Sequence, residues 1–432
     1  MMAAREVMQK DLTLRKGWCP SAHRPMQTGD GLLLRVRPRA GSLSLDQLIS
    51  IADIAERHGS GEIDLTNRAN LQVRGLSAET YPEAIAALIA SGIVEADADA
   101  EAARNVVVDP LTGLDPSHID VRNLASALEA MLIARSDLHA LPNKFGFSVS
   151  GSARGIRTAP YADISIAAQN QETYSIKLDG NAETHIELKP PAVVSAVARL
   201  AEVFLALTAE NPELRRMRDA VAAFGATHIF TKANLASTLA YATSNFETSA
   251  PSVGILSHAA TPYAVAIGLP FGRITDTAFK NLASQARELG CRDCRLSQQR
   301  TLVFPLTTRA DADALLSAAS YLNLITQAED PRLMMHVCPG APSCANATTS
   351  TRIDAERLAQ ALRNYVEGMP SIHISGCEKG CAHRNATAYT FVARNGAYDL
   401  IVNGTTQSAP HIASISPTSL SSTFQAITDR RS

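Results

Sequence analysis

The sequence predicts an α+β protein built by duplication, in which two small half-domains alternate with two larger αβ domains. Three observations predict it. Leu65-Thr66-Asn67-Arg68-Ala69-Asn70-Leu71 lines up with Leu296-Ser297-Gln298-Gln299-Arg300-Thr301-Leu302, an offset of 231 residues. The same offset brings Gly41 onto Gly272, Ala52 onto Ala283, Ala55 onto Ala286 and Gly59 onto Gly290. A weaker repeat joins the chain between and after these copies, where 162–180 resembles 387–404. A period this long means duplicated domains, because solenoid repeats are far shorter.

Within each copy the elements follow one order. A strand comes first, at 32–36 and at 264–269. A helix follows, with Leu45, Leu48, Ile49, Ala52 and Ala55 on one face, and Phe279, Leu282, Ala283, Ala286 and Leu289 in the second copy. Both sets fit a 3.6-residue period. Ser44 with Gln47 forms a capping box at the start of the first helix. Two short strands and a second helix complete the unit (Tyr81–Ala90 and 311–322). This β-α-β-β-α order is a split βαβ half, and two such halves are expected to pair about a pseudo-twofold axis. In the weaker repeat each copy is a strand pair around a turn, and Asn395-Gly396 is a strong hairpin signal. The join between the two large repeats falls at 251–257.

With 432 residues the chain has material for two to four domains. Hydrophobic residues make up 46% and charged residues 19%, an ordinary folded composition. A net charge of −2 gives no support for nucleic-acid binding through a general basic field. The most apolar stretch, 192–207, is interrupted by Ser195, Arg199 and Glu202, so it reads as a packed amphipathic helix and no membrane partner is expected. The first sixteen residues carry Arg5, Lys10, Asp11, Arg15 and Lys16 without an apolar core, which argues against a secretory signal. Seven cysteines is an odd count, and four have a better use than disulfides, so a reducing, cytoplasmic setting is expected.

Those four are Cys338 and Cys344, five residues apart, and Cys377 and Cys381, three apart. Thiolates in this number select iron–sulfur clusters or zinc. Zinc usually takes two tight CxxC-like pairs, and neither spacing is one; by spacing alone both metals stay open. The flanking residues are rich in Gly, Pro and Ala, and small residues with free backbone N–H groups, as Gly and Ala have, suit a cluster with hydrogen-bonded sulfides. Cys291 and Cys294 form a CxxC pair with no second pair nearby and read as packed small residues. Cys19, beside Pro20, reads as structural or substrate-facing. His336 and His383 flank the cluster segments and read as its hydrogen-bonding neighbours. No Gly-x-Gly-x-x-Gly fingerprint follows a strand, so a nicotinamide cofactor on this chain is not expected; Gly151-Ser152-Ala153-Arg154-Gly155 does not read as a nucleotide loop.

Together these segments resemble the sulfite and nitrite reductase superfamily along nearly the whole chain. The cysteine spacing matches its four-iron cluster. Leu34-Arg35-Val36-Arg37 resembles the strand whose arginine faces the ring. Thr66-Asn67-Arg68-Ala69-Asn70-Leu71-Gln72 resembles its Thr-x-Arg-x-x-x-Gln segment. Arg104-Asn105-Val106-Val107 and Leu141-Pro142-Asn143-Lys144-Phe145 resemble segments giving a further arginine and a lysine. The opening Gly17-Trp18-Cys19-Pro20-Ser21 and Met26-Gln27-Thr28-Gly29-Asp30-Gly31 resemble the precorrin-3B synthase branch of aerobic cobalamin biosynthesis. One departure from the reductases stands out: where they carry a second lysine, this chain has Gly146.

The resemblance implies a duplicated sulfite/nitrite reductase-like fold. It would comprise ferredoxin-like half-domains at 17–95 and 251–326, a tetrapyrrole-binding αβ domain at 100–245 and a cluster-carrying αβ domain at 330–432. It implies a monooxygenase that hydroxylates precorrin-3A at C20 with O2 and closes a γ-lactone. A 4Fe-4S cluster on Cys338, Cys344, Cys377 and Cys381 would relay electrons from an external reductase or ferredoxin, ultimately from NAD(P)H. An additional iron, with no ligands assigned, is implied as the oxygen-activating centre. Arg35, Arg37, Arg68, Asn70, Gln72, Arg74, Arg104 and Lys144 are the implied tetrapyrrole contacts, because arginine binds carboxylates bidentately and stays charged. They concentrate in the first copy; at the position of Arg68 the second copy has Gln299, with Arg300 beside it. The first copy is therefore expected to hold the active cavity. The alternative is a reductase with a resident sirohaem, to which Cys381 would bridge. Asp64 and Asp109 are candidate acid or base groups.

Overall fold

The computed structural model describes residues 20–115, 117–153, 162–181, 184–235, 239–241, 253–256, 263–363 and 369–428. Trp18, Cys19, Arg154, Gly155 and, in the join at 251–257, Pro251, Ser252 and Ser257 lie outside them. The chain divides into two compact units. One comprises Cys19–Pro25 and Leu34–Thr326, and the other includes Met26–Leu33 and Gln327–Ser432.

In the first unit the two copies exchange a strand. One sheet of this unit runs, in spatial order, 34–36, Leu71–Leu76, Glu62–Leu65 and Arg273–Thr275. The other runs Gly254–Ile255, Tyr263–Gly268, Thr301–Leu306, Asp293–Leu296 and Ser42–Ser44. The outer strand of each sheet thus comes from the opposite copy, antiparallel in both cases: Asp293 faces Ser44, and Glu62 faces Thr275. Leu45–His58 and Asp276–Glu288 follow these exchanged strands and pack against one another. Leu48, Ala52 and Ala55 are buried on one, and Phe279, Leu282, Ala283 and Ala286 on the other. The expected capping box is present: Ser44 Oγ accepts from Gln47 N–H, and the Gln47 side chain accepts from Ser44 N–H. The repeat persists in the backbone where the residues differ. Positive φ recurs at Ala40 (47°) and Phe271 (53°), at Ala69 (54°) and Arg300 (61°), and at Gly92 (67°) and Asn323 (57°).

The same unit holds a six-stranded sheet. Val106–Val108, Phe147–Ser150 and Ile164–Ala168 are parallel, and Tyr174–Leu178, Thr184–Leu188 and Leu239–Tyr241 continue it antiparallel. Among the described residues one helix, Pro190–Glu210, is long and apolar enough to cross a membrane by length and composition. It is a core helix. Val193, Val197, Leu200, Ala201 and Phe204 are fully buried in the cluster that also contains Phe145, Phe147 and Ile164.

The second unit repeats that plan. Met335–Val337, Ile372–Ser375 and Thr387–Arg394 are parallel, and Ala397–Gly404 and Ile412–Ile415 continue antiparallel. Thr351–Leu362 links the first two strands, as Arg122–Ala134 does in the first unit. Asn395 and Gly396 turn the hairpin at φ 50° and 81°, the left-handed values a two-residue turn of this kind requires.

Candidate functional site

The four cysteines lie on the two loops that leave the parallel strands of the second unit. Met335–Val337 runs straight into Cys338, and Ile372–Ser375 into Gly376 and Cys377. Cys338 N–H donates to Ile374 O at 3.3 Å, so the ladder registers the two loops against each other. Gly376 N–H donates to Cys338 Sγ at 3.1 Å, and Thr348 N–H to Gly376 O at 3.1 Å. Gly376 has to be small: a Cβ there would sit 2.6 Å from Ala347 Cβ. Thr351 Oγ1 donates to Cys338 O at 2.7 Å. Exposure rises across the set, from buried Cys338 through half-buried Cys344 and Cys377 to exposed Cys381. Burial pushes the Cys377 thiol up, and Cys381, Cys344 and Cys338 add to the rise. Each of the other three sulfurs is therefore close enough to act on it. Among the described residues no three His, Cys, Asp or Glu side chains converge on a point that one ion could occupy. Four thiols on two neighbouring loops are a donor set that an iron–sulfur cluster or zinc accepts. His336 and His383 stack at 4.0 Å and His373 meets His383 edge-on at 6.1 Å.

The hairpin at Met26–Leu33 belongs to this cradle. Gly29 N–H donates to Ser343 O at 3.3 Å, inside the loop between Cys338 and Cys344. A Cβ on Gly29 would collide with Pro342 O and lie 3.2 Å from Cys344 N. Thr28 Oγ1 bonds Asp30 Oδ1 and Gly31 O, both at 2.7 Å, which holds the turn.

In the first unit Arg35, Arg68 and Arg104 each lie within electrostatic reach of Arg37. Arg37 is held down at about 10, first by burial, then by its neighbours Arg35, Arg104 and Arg68, with Glu101 opposing. Arg37 Nη1 donates to Glu101 O at 2.5 Å and to Ala102 O at 3.2 Å. Arg104 is fully buried. Its Nη2 donates to Glu101 Oε2 at 2.6 Å, and its Nη1 lies 3.8 Å from Glu129 Oε2. Burial pushes Glu129 up to about 7 against the pull of Arg104. Arg37 and Arg104 are thus anchored on the Glu101 segment, with Glu129 beside Arg104. Arg35 and Arg68 are half-buried, and Lys144 is exposed. Such a surface favours a ligand bearing several carboxylates.

Residues 24–91 match the Nitrite/Sulfite reductase ferredoxin-like half domain. Over 92% of this chain and 85% of the relative, the sequence is 32% identical to a precorrin-3B synthase from a Sinorhizobium species. The chain belongs to the precorrin-3B synthase family. A ferredoxin–nitrite reductase from Synechococcus elongatus is more distant, 25% identical over 85% of this chain and 77% of that protein. The structure of the Mycobacterium tuberculosis NirA protein has the same fold, with a TM-score of 0.71 at 17% identity over 92% of this chain and 80% of that one.

For this member of the synthase family, the structure separates residues that sequence grouped together. Arg74 is 2% exposed, and its Nη1 lies 3.4 Å from Asp64 Oδ2. Arg104 is 1% exposed and committed to Glu101. Both were expected to face a tetrapyrrole; each guanidinium lies enclosed beside a buried carboxylate. Asn70 closes a turn: Thr66 N–H donates to its carbonyl, and its own N–H donates to Thr66 Oγ1. Gln72 faces Asp64 across the strand ladder. Asp64 is no free acid or base, because Arg273 grips both its oxygens. Asp109 follows Val106–Val108 as Cys338 follows Met335–Val337, and Asp115 stands where Cys344 does; burial raises Asp109, and His118 lies 3.6 Å from it. Sequence reasoning missed Glu101 and Glu129. A carboxylate three residues before Arg104, and another inside the apolar face Ala125, Leu128, Leu132, were the available signals. It also gave Gly29 and Gly146 no structural role, and nothing local to either residue marks one.

Proposed function

We propose that this chain is a precorrin-3B synthase that hydroxylates precorrin-3A at C20 and closes a γ-lactone from a neighbouring acetate. The observation that carries the reading is the 32% identity to the Sinorhizobium synthase along 92% of the chain. One atom of O2 enters the product. The other leaves as water, with two electrons from an external reductase or ferredoxin and two protons. Precorrin-3A is a flexible macrocycle with acetate and propionate side chains, and the half-buried guanidiniums of Arg35 and Arg68 beside Arg37 support its binding there.

Arg35, Arg68 and exposed Lys144 are assigned the direct carboxylate contacts. Arg37 and Arg104, anchored by Glu101 and Glu129, form the layer beneath and fix the outer pair by packing and repulsion. Cys338, Cys344, Cys377 and Cys381 are assigned to a 4Fe-4S cluster, which when bound supplies one-electron transfer. Gly376 N–H holds the Cys338 sulfur, and the Gly29 hairpin holds the backbone that carries Cys344. A cytoplasmic setting follows from the reduced thiols such a cluster needs.

The test is the protein purified without oxygen, with its visible spectrum, iron, sulfide and extractable tetrapyrrole measured on one sample. It is then given precorrin-3A, reductant and ¹⁸O2. A broad cluster absorption with no extractable ring, and a product gaining one labelled oxygen, supports the synthase. A resident iron tetrapyrrole with no labelled product would make the chain a sirohaem reductase instead.

A further inference from the structure

Gly146 lies between Phe145 and the strand Phe147–Ser150, and its backbone cannot retreat. Its N–H donates to Asp163 Oδ2 at 2.9 Å, and its carbonyl accepts from Asp163 N–H at 2.7 Å. Asp163 is fully buried and fixed in turn by Arg216, with Nε to Oδ1 and Nη2 to Oδ2 both at 2.9 Å, and by Met217 N–H at 2.9 Å. A Cβ built on Gly146 would fall 2.5 Å from Arg68 Nη2 and 2.9 Å from Asn105 Nδ2. Asn105 is anchored as well, donating to Phe145 O at 2.7 Å. Of the groups around that point only the Arg68 guanidinium, at the end of a long side chain, is able to move far. Any side chain at 146 therefore acts first on Arg68.

We propose that Gly146 is a positioning residue: the absence of a side chain there creates the seat in which the Arg68 guanidinium lies, and so sets where that cation meets a substrate carboxylate. The inference rests on reading the basic cluster as the ring-carboxylate site. It assigns a consequence to the glycine that stands where a lysine is expected in the reductases. A lysine at 146 would evict Arg68 and put a compact, strongly hydrated charge where a planar fork now lies.

The experiment is an anaerobic titration with precorrin-3A, followed by the visible absorbance of the tetrapyrrole itself, on the parent, Arg68→Ala, Gly146→Ala and the double variant. Each single change is expected to weaken binding about tenfold, the size of one lost charge-assisted hydrogen bond. The double variant is expected to bind no more than about twofold worse than Arg68→Ala, since the second change then has little left to displace. In turnover, KM should rise in Gly146→Ala while kcat changes less. Unaltered binding in Gly146→Ala, or losses that add in full in the double variant, would overturn the proposal. If Arg68→Ala itself binds like the parent, the carboxylate-site reading fails, a result distinct from failure of the glycine alone. If Gly146→Ala does not fold, the double variant should recover, because removing Arg68 vacates the volume; failure of both would show that the glycine answers to the backbone and not to Arg68.

Discussion

Arg273, on the strand that the second half-domain lends to the first, grips Asp64 with Nε to Oδ1 at 2.7 Å and Nη2 to Oδ2 at 3.1 Å. Arg74 approaches the same carboxylate from its own copy at 3.4 Å, and Asp64 acts on half-buried Arg300 as well. One carboxylate therefore holds cations from both copies. The repeat mate of Arg273 is Ser42, which donates to Asp293 at 3.3 Å, so the second exchanged strand is held by a far weaker bond. Asp64→Asn is expected to destabilise the chain by about 3–5 kcal/mol, because it removes a buried counter-charge that Arg74 and Arg273 share, although Arg273 keeps Glu62. Ser42→Ala should cost only about 1 kcal/mol. Chemical denaturation midpoints of the two variants would check the contrast.

Glu129 predicts a pH dependence of stability. Its folded value of about 7 exceeds the ordinary 4.5, so the folded chain holds more protons than the unfolded one between those limits. Stability from this group is full below pH 4.5 and is lost as pH rises through 7. Arg104, the Ala40 amide and Arg39 favour its charged form, while burial and Glu101 oppose it, and burial wins. Glu129→Gln should abolish a decline of at most about 3 kcal/mol. Melting temperatures of parent and variant should agree near pH 4.5 and separate by pH 8, with the variant higher.

The cradle predicts that a distant glycine controls cluster loading. Gly29→Ala should lower iron and acid-labile sulfide per chain, since the added methyl collides with the loop that carries Cys344. Cys338→Ser and Cys377→Ser should lower them further. Far-UV circular dichroism should stay near that of the parent in all three, because the affected loops contribute no strands or helices.

Cys291 and Cys294 should resist alkylation in the native protein. Burial pushes Cys291 up to about 11 and Cys294 well above its ordinary value, so neither thiol provides thiolate at pH 8. Mass spectrometry after iodoacetamide treatment of cluster-free protein should find label on Cys344, Cys377 and Cys381 before either of these. Equal labelling would mean that the CxxC pair is a reactive motif after all.

Much of the architecture was legible in the residues. The 231-residue repeat is legible by comparing the chain with itself, while the capping box at Ser44, the Asn395-Gly396 turn and the buried helix within 192–207 are short-range patterns, and each formed as read. The exchange of Ser42–Ser44 for Arg273–Thr275 was not legible, because an edge strand carries no mark of which sheet will accept it.

The sequence by itself determined the duplication, the order of elements and the cysteine loops, since spacing and periodicity act between residues a few positions apart. Only the tertiary structure decided which arginines stay near the surface. Arg35 and Arg37 alternate on one strand, yet one is half-buried and the other is enclosed by carbonyls some 64 residues further along. The same holds for Gly146 beside Arg68 and for Gly29 beside Cys344. Burial and counter-charge are properties of which distant segments meet, and that meeting is settled when the sheets and loops close on one another.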